Sequence, residues 1–116
     1  MNTENAKSQM RKGMLEYCVM LLLHREASYA TDIIAQLKEA ALIVVEGTLY
    51  PLLSRLKKDG LLTYEWREST QGPPRKYYAL TTEGIEALKD MDDAWNGLVR
   101  TVDLLKATQE SSNKNV

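Results

Sequence analysis

Thr48, Tyr50, Ser54 and Arg55 stand clear of a leucine stripe in a helical register, with Lys57 beside them. Hydroxyls and a guanidinium can hydrogen-bond phosphate oxygens or base edges, and Tyr50 can also pack on a sugar or a thymine methyl. A second group, Gln71, Arg75 and Lys76, brackets a rigid Gly72-Pro73-Pro74. Lys7, Arg11 and Lys12 form a third cluster near the start, and Tyr29 opens a further helix. These side chains suit a polyanion, and double-stranded DNA is the expected partner. The net charge is only −1, so such binding must come from a local patch rather than a basic coat. Residues 1–80 carry eleven Lys and Arg against nine acids, and residues 81–116 carry four against seven. One end is therefore expected to meet phosphate and the other to meet protein.

Catalysis is not expected. His24 and Cys18 are the only residues of their types, so one chain cannot assemble a zinc cluster, and neither metal nor cofactor is implied. Neither a glycine-rich phosphate loop nor a nucleophile-elbow motif occurs. Cys18 reads as a small buried hydrophobe, and His24 as a partner for a helix C-terminus. The apolar run Tyr17 to Leu23 is too short to span a bilayer and lacks a cleavage site after it. A cytoplasmic protein with no membrane partner is expected.

Six elements, four helices and two strands, must position these groups. Residues 1–9 read as a polar tail, and Met10 to about Arg25 as a helix. Met10, Met14, Cys18 and Leu21 share one face of it, while Leu15, Val19 and Leu22 share another. Apolar nearly all round, its latter half needs cover on two sides, and a second subunit is the expected second cover. Ser28 can cap a helix from Tyr29 to Ala41. Leu49, Leu52, Leu53 and Leu56 then mark a third helix that Gly60 stops, and Pro51 fits if that helix begins near Gly47 or Thr48.

After Gly60 the period changes to two. Leu62, Tyr64 and Trp66 alternate with Thr63, Glu65 and Arg67 as a half-buried strand. Ser69 to Pro74 read as a turn, and Arg75 to Leu80 as the returning strand. Thr81 or Thr82 caps a long last helix to about Gln109, on which Leu88, Met91, Trp95, Leu98, Val102 and Leu105 keep an a/d rhythm. The fold class is mainly α with a small β-hairpin, namely a winged helix-turn-helix over 1–81. A dimerisation helix follows over 82–110, and a disordered tail over 111–116.

Glu46-Gly47-Thr48-Leu49-Tyr50-Pro51-Leu52-Leu53-Ser54-Arg55-Leu56-Lys57-Lys58-Asp59-Gly60-Leu61 resembles the recognition-helix signature of the PadR-like transcriptional regulators. Gln71 to Thr81 resembles their wing, and Thr82-Glu83-Gly84 the start of their dimerisation helix. The resemblance runs from about Met10 to Gln109. It implies a homodimeric bacterial repressor on a palindromic operator. It also implies that Leu88, Met91, Trp95, Leu98, Val102 and Leu105, with Tyr17 and Leu21, build the dimer interface.

The short form is similar to the subgroup containing a lactococcal multidrug-binding regulator, where a tryptophan of the last helix lines a pore for planar aromatics. A small aromatic effector is the expectation this attaches to Trp95, Tyr17 and Cys18. Two departures matter: Pro73-Pro74 replaces the usual wing glycine, and Tyr17 is bulkier than the small aliphatic residue near that pore. Trp95 therefore keeps two readings, a packing residue of the seam or a wall of the pore. A winged-helix module that binds another protein is the alternative for the whole chain.

Overall fold

The computed structural model describes residues 3–114, with the side chains of Glu4, Ser8, Lys12 and residues 108–114 left aside. Its elements are α1 (Thr3–Arg25), α2 (Ala30–Glu39), α3 (Glu46–Lys58), β1 (Leu62–Ser69), β2 (Gly72–Leu80) and α4 (Thr82–Lys114). The strands pair antiparallel as a hairpin, with Leu62 opposite Leu80 and Arg67 opposite Arg75. Val19, Met20, Leu22 and Leu23 of α1 enter one core with Ile33 and Leu37 of α2, Leu49, Leu53 and Leu56 of α3, Leu62, Tyr78 and Leu88.

Helix termini explain the turns. Gly60 ends α3 at φ 81°, where its N–H donates to Lys57 O and that of Leu61 to Leu56 O. Ala41 makes the same turn after α2 at φ 66°, at a cost of about 1 kcal/mol that glycine avoids. Thr81 caps α4: its Oγ1 accepts from Gly84 N at 3.0 Å and donates to Gly60 O at 2.6 Å. Gly84 is buried, and a Cβ there would drive into the Leu61 carbonyl, the acceptor for Thr81 N. Gly84→Ala is expected to cost about 2–3 kcal/mol by overpacking against backbone, lowering the melting temperature by roughly 10 °C. Thermal unfolding by circular dichroism checks it, and an unchanged midpoint would mean that α4 can lift off Leu61.

Several expectations need correction. Helix α1 already starts at Thr3, so residues 3–9 are not a tail. Ser28 does not cap α2, whose N-cap is Tyr29 without a side-chain bond. Ser28 is instead fully buried and trades two backbone bonds with Tyr78, adding a bridge to the free edge of β2. Its Oγ donates to Glu26 O and accepts from Gln36, so the buried hydroxyl is satisfied.

Helix α3 begins at Glu46, which puts Pro51 inside it; the Gly47 carbonyl that loses a donor is exposed, where water can serve it. Gly72-Pro73-Pro74 belong to β2 rather than to the turn. The register slips between Arg67 and Ser69 at that place, and a bulge in a two-stranded hairpin tolerates missing N–H groups. Helix α4 carries residues 111–114, assigned above to a disordered tail, while 115 and 116 lie outside the described residues.

The molecule is drawn out to 65 Å in its longest dimension. Its radius of gyration, 17.8 Å, exceeds the roughly 13 Å of a compact domain of this length. The 33 residues of α4 account for this, because a helix of that length spans roughly 50 Å.

Candidate nucleic-acid interface

With Leu49, Leu53 and Leu56 buried, helical geometry turns Gly47, Pro51, Ser54 and Lys58 straight outward, all of them exposed. Tyr50 and Lys57 lean to the hairpin side of α3, and Thr48 and Arg55 to the α1 side. On the hairpin side a concavity of about 440 Å3 opens between α2, α3 and the two strands. Tyr29, Thr31, Tyr50, Ser54, Arg75 and Lys76 all line it. The fold thus brings together five residues singled out by sequence: Tyr29, Tyr50, Ser54, Arg75 and Lys76.

Aromatic rings organise the cations. Arg67 and Arg75 face each other across the hairpin, an unfavourable like-charge pair. Arg75 lies 4.4 Å above Tyr29 and Arg67 4.3 Å above Tyr77, while Tyr29 and Tyr77 meet edge-on at 5.2 Å. The ring faces hold both guanidiniums; Arg75 has no ion pair among the described residues, whereas Glu65 already occupies the Nε edge of Arg67. On the opposite face Lys57 and Lys76 sit 5.2 and 4.6 Å from the Tyr64 ring. Glu65 holds Arg67 at 2.7 Å in an exposed pair.

Other expected contacts stand apart from this concavity. Arg55 is paired to Glu16 of α1 at 3.0 Å, and Thr48 borders the same α1–α3 groove. Arg11 is half-buried and donates to the Ile43 carbonyl in the α2–α3 link. Gln71 is exposed at the tip of the hairpin, where its N–H donates to Ser69 Oγ. The Lys12 side chain lies outside the described residues. Lys58, in the same basic cluster of α3, is exposed on its outward face. Thr31 lines the concavity without having been singled out, because it reaches it only through the packing of α2.

Along α4 the apolar face divides in two. Leu88 is 2% exposed within a single chain and belongs to that chain's own core. Its place in a dimer interface is therefore corrected, since nothing of it is left to cover. Met91 is half-buried against the same core. Trp95, Leu98, Val102 and Leu105 remain exposed, as does Leu21 of α1. Tyr17 joins the two helices: its hydroxyl donates to Asp92 at 2.5 Å and its ring lies 6.3 Å from that of Trp95. Cys18 is half-buried, and burial raises its thiol pKa, the reverse of a reactive thiolate.

The bond to Asp92 is the chief cause pushing the Tyr17 pKa from 10.0 up to about 12, with burial adding to it. The unfolded chain then loses this proton first as pH rises. The contribution is complete below pH 10.0 and fades as pH climbs towards about 12. Tyr17→Phe is expected to flatten the decline of stability across that window. Urea melts at pH 9 to 12 would show it, and parallel declines would place the loss elsewhere. Among the described residues there is no cluster of His, Cys, Asp or Glu able to hold a metal ion, and no helix is long and apolar enough to cross a membrane.

The sequence profile of the transcriptional regulator PadR-like family matches residues 19–90, which takes in the α2–α3 unit, the hairpin and the start of α4. A PadR-like transcription factor from Bacteroides fragilis is 67% identical, with a TM-score of 0.73 over 87% of this chain and 98% of that one. A PadR-like transcriptional regulator from Bacillus cereus is 36% identical, with a TM-score of 0.75 over 84% and 95%. Bacillus subtilis PadR, solved in complex with operator DNA, is 26% identical, with a TM-score of 0.61 over 66% of this chain and 45% of that one. With its helix-turn-helix, wing and long last helix in the matching order, the chain belongs to the PadR-like family of transcriptional regulators.

Proposed function

We propose that this protein is a homodimeric repressor that acts in the cytoplasm on a palindromic operator in double-stranded DNA. The observation that carries the reading is the convergence of Tyr50 and Ser54 of α3 with Arg75 and Lys76 of the wing around one concavity. Residues 1–81 form the DNA-binding unit in this reading and α4 the dimerisation unit. The Bacillus subtilis relative bound to operator DNA supports the choice of partner. Two α3 helices then enter successive major grooves roughly 34 Å apart.

The exposed run of Trp95, Leu98, Val102 and Leu105 is the surface on which a second copy pairs. An effector site fits the same reading. Met14, Tyr17, Met91, Trp95 and Leu98 line an apolar concavity of about 340 Å3 that a second copy would close into a slot for a planar aromatic molecule. Ligand there weakens operator binding by its differential affinity for the two dimer geometries.

Fluorescence anisotropy over a salt series tests the reading, using a duplex enriched by the protein from a random-sequence pool and a shuffled control. Preference for the enriched duplex, with log affinity falling linearly in log salt, supports it. Equal, weak binding to both duplexes sinks it and favours a protein-interaction module.

A further inference from the structure

Trp66 is 61% exposed, more than Tyr50 at 45% or Trp95 at 38%, and thus the most exposed aromatic among the described residues. Strand alternation puts it on the same hairpin face as Leu62, 2% exposed, and half-buried Tyr64. The face is the inward one, but at Trp66 the core has run out and the ring projects over the edge of the concavity shared with Tyr50, Ser54 and Arg75. The indole is also braced. Tyr64 meets it edge-on, at 6.1 Å and 87°, and Lys76 Nζ lies 5.3 Å from its centre. A large apolar plate is thereby held in water beside a cation, at the mouth of the groove that faces α3.

We infer that Trp66 is a DNA-contacting residue whose ring packs on deoxyribose and a base methyl, between phosphates neutralised by Lys76 and Arg75. The inference rests on the regulator reading above and adds a non-ionic contact to it. A duplex backbone alternates charged phosphates with apolar sugar faces, and Trp66 opposite Lys76 on one face of the hairpin, with Arg75 lining the same concavity, offers both kinds of contact. A protein partner would have to bury the same cations, which a duplex neutralises as it binds.

The test uses Trp66→Ala and Trp66→Phe in the full chain, against the duplex enriched by the wild-type protein. Trp66→Ala is expected to weaken binding about tenfold with the slope of log affinity against log salt unchanged, because no charge is lost. Trp66→Phe is expected to recover most of that loss. As the chain has two tryptophans, the emission lost between the wild type and Trp66→Phe isolates the Trp66 indole, and that component should be quenched and blue-shifted when duplex is added. Equal affinity of Trp66→Ala with no emission change would overturn the inference while leaving the regulator reading intact. A loss accompanied by a shallower salt slope would overturn it too, assigning the residue to the placement of Lys76. Failure of the wild-type protein to enrich any duplex would remove the regulator reading itself. Should Trp66→Ala fail to fold, the difference in emission between the wild type and Trp66→Phe decides alone.

Discussion

Replacing Lys58, Arg75 and Lys76 together by alanine is expected to weaken operator binding about a thousandfold at physiological salt, roughly tenfold for each charge. The slope of log affinity against log salt should become shallower by about 3, because each neutralised phosphate releases close to one counterion. Lys58 projects from the outward face of α3, whereas Arg75 and Lys76 lie along the hairpin side of the concavity. The fold should survive. Lys58 is exposed, and losing the stacking of Arg75 on Tyr29 and of Lys76 on Tyr64 costs only about 0.5–1 kcal/mol each. Anisotropy titrations at four or five salt concentrations measure both quantities at once. An unchanged slope would show that the duplex meets some other surface.

Leu98→Glu combined with Val102→Glu is expected to leave a folded monomer and to reduce operator affinity by at least about a hundredfold, since a half-site contact replaces a bivalent one. Both side chains are largely exposed in the single chain, at 61% and 48%, so neither supports the core. In a dimer, each would lose about 1.5–3 kcal/mol of apolar burial, and four new carboxylates would crowd one seam. Sedimentation velocity gives the oligomeric state, and circular dichroism confirms that α4 is retained. A double variant that still sediments as a dimer would move the seam to another face of the molecule.

Much of the fold was legible because its signals are local. The 3–4 spacing of Leu49, Leu52, Leu53 and Leu56, Gly60 as a stop and the alternation from Leu62 each depend on near neighbours in the chain. Thr81 as the α4 cap is of the same kind. Ser28 was misread because the bond that claims it comes from Tyr78, fifty residues away, and outbids a local cap. Trp66 falls on the apolar face of a half-buried strand and is nonetheless exposed, because alternation tells which face a residue occupies and not where the core ends.

The site shows the same division. Residue types alone selected Tyr50, Ser54, Arg75 and Lys76, since hydroxyls and cations on a helix with a leucine stripe and on a glycine-proline hairpin announce a polyanion surface. Only packing decided that Thr31 belongs with them, that Arg55 is tied to Glu16, and that Leu88 turns into its own core. An amino-acid sequence by itself determines periodicity, caps and chemical inventory, because these depend on residues a few positions apart. Which of several apolar or charged neighbours a side chain meets is set by the docking of elements distant in the chain, and that docking minimises exposed area for the whole domain at once.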